Sequence, residues 1–104
     1  MEPRITREVI KVFAALMSAG SDGELPGSEI SRATTLASGT LYPILLRLEK
    51  AGWLASRWEE GDPSVLGRPR RRFYRITATG GRQMGKQISE IKSLVGGLAW
   101  AQLK

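Results

Sequence analysis

ASGTLYPILLRLEKAG, residues 37–52, is the stretch whose reading decides the fold. Leu41, Ile44, Leu45, Leu48 and Ala51 recur at helical spacing and make one apolar stripe. Thr40, Pro43, Arg47 and Lys50 fall on another face, where nothing apolar is needed. Ser38 stands just before the periodic run as a candidate N-cap. A short polar lead, small residues at the start and a basic outer face suit a helix laid into a DNA groove. Pro43 removes one helical hydrogen bond and costs about 3 kcal/mol if unrelieved. It lies only a few residues in, so the damage is limited. Either the helix effectively starts later or it accepts a bend; both readings stay open.

Ahead of this stretch the spacing predicts a scaffold. Thr6 is a candidate N-cap, and Glu8 places a negative charge in the first turn. Ile5, Val9, Val12, Phe13, Leu16 and Met17 follow helical spacing, and Gly20 stops that helix. SDGELPG, residues 21–27, is loop by composition. Ser28 can cap a short helix over 29–34, with Ile30, Ala33 and then Leu36 facing inward. Residues 35–38 form the turn into the helix of 37–52. Two helices joined by a tight turn make a helix-turn-helix, the second helix being the reader.

Behind the stretch, Gly52 ends the reader. Residues 54–60 alternate as a strand does, with Leu54, Ser56 and Trp58 on one side. GDPSVLGRP, residues 61–69, is loop, and residues 70–76 return as a second strand with Tyr74 and Ile76 inward. Two antiparallel strands with a basic tip after a reader helix form a winged helix. Thr77 can cap a last helix whose first turns are weakened by Gly80, Gly81 and Gly85. Met84, Ile88, Ile91, Val95 and Leu98 step along it by four, three, four and three, a coiled-coil spacing. Such a helix either packs on its own domain or dimerises, and few intrachain partners are left for it. Dimerisation is the expectation. The expected organisation is a winged helix-turn-helix over 1–76 and a dimerisation helix over 77–104, mainly α with a small β component (α+β).

The whole chain is consistent with this. With 104 residues it is one small domain of modest burial, for which association is an expected source of stability. A net charge of +6 and a pI of about 10.3 favour a polyanionic partner. There is no cysteine and no histidine, which removes thiolate metal sites, disulfides and the usual general base. No acidic cluster has metal-binding spacing, since Glu59, Glu60 and Asp62 sit on a strand end and a loop. Neither an enzyme nor a cofactor is expected. MEPRITRE lacks an apolar core and no run approaches bilayer length, so the expectation is a cytoplasmic protein with no membrane contact.

Arg68, Arg70, Arg71, Arg72, Arg75 and Arg82 follow one another with no acidic residue between Arg68 and Arg82. Gly67-Arg68-Pro69-Arg70 is similar to an extended basic arm that enters an A·T-rich minor groove. Arg68, Arg70 and Arg71 are therefore expected to meet phosphates or that groove. Ser38, Gly39, Thr40 and Tyr42 are placed to reach base edges or phosphates, Arg47 and Lys50 to meet phosphates. Tyr42 could equally be a core aromatic whose hydroxyl reaches a phosphate. The competing reading is a winged helix that binds another protein without specific DNA contact.

SGTLYPILLRLEKAGWL (38–54), GRPRRRFYRIT (67–77) and TGGRQ (79–83) together resemble the PadR family of bacterial winged-helix transcriptional regulators. The resemblance covers about Gly27 to Arg82. The single last helix is similar to that of the smaller PadR subfamily. The resemblance implies a homodimer held by the last helix with the first, and repression by binding a palindromic double-stranded DNA operator. It maps Ser38, Gly39, Thr40, Tyr42 and Pro43 onto the reader and Arg68 and Arg70 onto the wing tip. Gly27-Ser28-Glu29 departs from the family pattern, which has a tyrosine after the glycine. TGGRQMG is an unusual start for the last helix.

Three tryptophans remain. Trp53 is expected in the core and Trp58 half exposed. The resemblance gives Trp100 two roles, dimer packing or the lining of a channel for a small aromatic effector. Packing is the simpler, and no specific effector is predicted.

Overall fold

A computed structural model describes residues 2–19 and 22–103, with side chains as far as residue 98. Gly20 lies outside the described residues. The elements are α1 (Arg7–Met17), β1 (Glu24–Pro26), α2 (Gly27–Thr34), α3 (Ser38–Lys50), β2 (Leu54–Trp58), α4 (Pro63–Leu66), β3 (Arg72–Ile76) and α5 (Ala78–Leu103). The fold is mixed α+β, with the helix-turn-helix and wing that the spacing predicted.

Helix α1 starts as expected. Thr6 accepts the Val9 N–H at 3.2 Å. Val9, Val12, Phe13 and Leu16 are buried, but Met17 is exposed. Phe13 meets Trp53 edge-on, with ring centroids 6.2 Å apart. Ile30, Leu41, Ile44, Leu45, Leu48, Trp53, Leu54, Tyr74 and Met84 complete this core.

Helix α2 begins earlier than the sequence suggests. Its N-cap is Pro26, and Ser28 sits inside the helix. Ala33 is exposed and Thr34 is buried in its place. The Thr34 hydroxyl donates to the Ile30 carbonyl at 2.7 Å, which makes its burial affordable. Thr35 then takes a left-handed conformation, φ 59°, and turns the chain into α3.

Helix α3 is N-capped by Ala37, without a side-chain hydrogen bond, so Ser38 is its first residue rather than its cap. The helix runs unbroken through Pro43. It therefore does not start after the proline. What Pro43 loses is the bond its N–H would have made to the Gly39 carbonyl, one turn back. The other end is tightly closed. The Trp53 N–H returns to the Leu48 carbonyl and the Gly52 N–H to the Glu49 carbonyl, both at 2.9 Å. Gly52 has φ 79°, the left-handed turn that this closure requires.

The sheet corrects the reading of residues 21–27 as loop. Its order is β1-β3-β2, all antiparallel. Strand β1 is only three residues at an edge, where a proline is tolerated, so no alternation pattern announced it. The pairs Leu54↔Ile76, Ser56↔Tyr74 and Trp58↔Arg72 keep the faces that alternation predicted. Both wing strands are shorter than expected. The loop between them holds α4, capped by Asp62, whose carboxylate accepts from the Ser64 N–H and hydroxyl, each at 2.9 Å.

Thr77 does cap α5, accepting the Gly80 N–H at 2.9 Å. Its own N–H donates to the Trp53 carbonyl at 3.0 Å. Helix α5 thus begins directly on the turn that ends α3. Gly80 is there because the helix backbone passes against Trp53; a Cβ would overlap that carbonyl. It is a packing glycine and not merely a weak one. Met84 is buried in this core, so it is not part of a free seam. Ile88 packs on the core edge, whereas Ile91, Leu94, Val95 and Leu98 are exposed. No described helix is long and apolar enough to cross a membrane.

Candidate nucleic-acid interface

The outward face of α3 is built by exclusion. Burying Leu41, Ile44, Leu45 and Leu48 turns Ser38, Gly39, Thr40, Tyr42, Pro43, Leu46, Arg47 and Lys50 to the exterior. All the expected reader residues are therefore on the surface. Tyr42 is 45% exposed, so it is not a core aromatic. Its hydroxyl lies over the start of α2, where a Cβ on Gly27 would stand 2.5 Å away. Leu46, 53% exposed, was missed by the sequence reading, although helical spacing places it opposite the buried stripe.

Helix α3 carries one carboxylate, Glu49, and it is turned toward the sheet. It accepts the Ser56 hydroxyl and faces Arg72 at 3.4 Å. Arg72 also donates to the Ser56 hydroxyl at 2.9 Å and stacks over Trp58, 5.2 Å from its ring centre. This network joins the end of the reader to the wing. Trp58 remains largely exposed beside it, as expected.

The wing arginines divide into held and free. Arg68 is held: its guanidinium forks onto Glu59 at 2.6 and 2.9 Å. That guanidinium, with the Arg71 N–H, drives the Glu59 carboxyl down to about 2. Gly67 is left-handed, φ 72°, and closes α4, so residues 67–70 are folded back on the wing and not an extended arm. The Arg68 pairing was invisible in the sequence because Glu59 lies before the intervening loop. Arg70 donates through Nε to the Gly61 carbonyl at 2.7 Å. Arg70 and Arg71 are both exposed, without a carboxylate partner among the described residues. Arg57 is held too, against Glu24 at 2.9 Å and over the Phe73 ring. It clasps β1 to β2 across β3, and its guanidinium lowers the Glu24 carboxyl.

A groove of about 640 Å³ separates the start of α2 from the wing. Gly27, Ser28 and Tyr42 line one side, Trp58 and residues 68–72 the other. It brings the reader tyrosine and the wing cations to one surface. No group of three or more acidic residues able to hold a metal ion occurs among the described residues. Trp100 lies beyond the described side chains.

A helix-turn-helix carrying a wing, with Tyr42 of α3 and the wing arginines lining one groove, defines a winged-helix protein. Comparison with known proteins then gives the family. Residues 28–86, more than half of the chain, match the Transcriptional regulator PadR-like family, and the chain belongs to it. The fold resembles that of a PadR family transcriptional regulator from Eggerthella lenta, with a TM-score of 0.68 at 23% identity over 89% of this chain and 80% of that one. It also resembles a PadR-like transcriptional regulator from Bacillus cereus, TM-score 0.60 at 22% identity over 93% and 90%. A third similar structure is NadR in complex with 4-hydroxyphenylacetate, TM-score 0.60 at 24% identity over 96% and 70%. No curated protein matches the sequence.

Proposed function

We propose that this PadR-like regulator is a homodimer that represses transcription by binding a palindromic DNA operator. Helix α3 enters the major groove and the wing meets phosphates or the minor groove through Arg70 and Arg71. The observation that carries this is the groove that Tyr42 of α3 shares with Arg70 and Arg71 of the wing; Thr40, Arg47 and Lys50 are exposed on the same helix, and its single carboxylate is turned toward the sheet. The exposed apolar positions Ile91, Val95 and Leu98 are offered to a second copy, while Met84 serves the chain's own core. No effector is assigned.

Selection of bound fragments from the host genome, followed by salt titration, tests the reading. Affinity should fall steeply with salt, and replacing Arg70 and Arg71 together with alanine should shallow the log–log slope by about four for the dimer, about two per protomer. Undetectable duplex binding at low salt would overturn it and favour the protein-binding wing, for which exposed Val65 and Trp58 are the supporting feature.

A further inference from the structure

We propose that Pro43 and Leu46 form an apolar strip that reads thymine 5-methyl groups in the major groove. The inference rests on the DNA-binding reading and names the base chemistry that the reader recognises.

The strip follows from helix geometry. Gly39, Pro43, Leu46 and Lys50 step by four, three and four residues, so they share one line along α3. This line is opposite the buried stripe and all four residues are exposed. A leucine and a proline ring thus occupy the centre of the reader's outward face. Gly39 contributes no side chain there, and Pro43 contributes no N–H. The middle of the face has little to offer as a hydrogen-bond donor or acceptor.

What covers the strip is indicated by its flanks. Thr40 and Arg47 border it and Lys50 ends it. No carboxylate faces outward from this helix, because Glu49 is occupied with Ser56 and Arg72. Arg47 on one flank and Lys50 at the end, with exposed Tyr42 on the other flank, set the apolar centre among groups that complement a polyanion presenting apolar groups between its phosphates. In the major groove only thymine does so, through its C5-methyl. The groove is wide enough to admit a helix, which brings the centre line of α3 nearest the bases.

Deoxyuridine in place of thymidine tests this, because it deletes the methyl and leaves base pairing unchanged. Each thymine of a selected operator is replaced singly, and binding is measured for the natural protein, for Leu46→Ala and for Pro43→Ala. Removal of a contacted methyl should weaken the natural protein about three- to fivefold. The same replacement should have no further effect on the variant, Leu46→Ala or Pro43→Ala, that lacks the side chain touching that methyl. Leu46 is exposed, and circular dichroism verifies that the variant is folded. If specific binding is found but no thymine shows the loss, or the loss persists in Leu46→Ala and Pro43→Ala alike, the strip does not read methyls. If no specific duplex is selected at all, the DNA-binding reading falls first and takes this inference with it.

Discussion

The carbonyl oxygen of Trp53 occupies the space that a Cβ at residue 80 would need. That carbonyl is also the acceptor for the Thr77 N–H. The turn closing α3 and the start of α5 are therefore in backbone contact, and glycine is the residue that permits it.

Gly80→Ala should accordingly destabilise the fold, by about 1–3 kcal/mol or more, as overpacking does. Gly81→Ala is its control. Its Cβ would meet only the Ile76 side chain, at 4.0 Å, and alanine improves helix propensity by about 1 kcal/mol. Thermal or urea unfolding of the two variants should move in opposite directions. Equal shifts would show that the Trp53 contact does not matter.

Gly27→Ala separates stability from recognition. A Cβ there would stand 2.5 Å from the Tyr42 hydroxyl, and Tyr42 is free to swing outward. Stability should change by less than about 0.5 kcal/mol, since the helix gains from alanine. Operator affinity should drop about tenfold, the value of a hydrogen bond to a charged phosphate. Tyr42→Phe should reproduce the loss without moving the ring; a tight-binding Tyr42→Phe variant would remove the hydroxyl from the interface.

The Glu59–Arg68 pair should respond to acid in a defined direction. The Glu59 carboxyl is lowered from 4.5 to about 2 by Arg68, so it favours the folded wing above 4.5. That contribution shrinks as pH falls from 4.5 and is gone below about 2. Trp58 fluorescence in the folded wing should report the loosening, and Glu59→Gln should abolish that transition. The same variant releases Arg68 and should steepen the salt dependence of DNA binding by about two units for the dimer, one per protomer. An unchanged acid transition in Glu59→Gln would assign it to another carboxylate.

Helix α5 supplies a fourth test. Ile91→Asp places a charge at the first of its exposed apolar positions, one turn beyond the core-packed Ile88. Light scattering should report monomers, and operator affinity should fall roughly a hundredfold or more as two-site engagement is lost. A dimer of undiminished mass would place the contact elsewhere.

Local features of the fold were readable from the sequence. The Thr6 and Thr77 caps, the buried stripe of α3 and the Gly52 stop each depend on residues within a turn of one another. What escaped depends on distance. Strand β1 is recognisable only by its partner, with Glu24 pairing Arg75. Arg68 looked free because Glu59 approaches it only after α4 folds the loop back. Leu46 differs: apolar periodicity marks the residues that fill the core, and a leucine on the opposite face adds nothing to that stripe.

The sheet order has a consequence for how the chain is made. Both β1 and β2 pair only with β3, which is the last strand to leave the ribosome. Until residues 72–76 emerge, the helix-turn-helix is already synthesised but β1 has no ladder to join. The nascent chain should therefore complete its sheet late and in one step, when a five-residue strand inserts between two waiting edges.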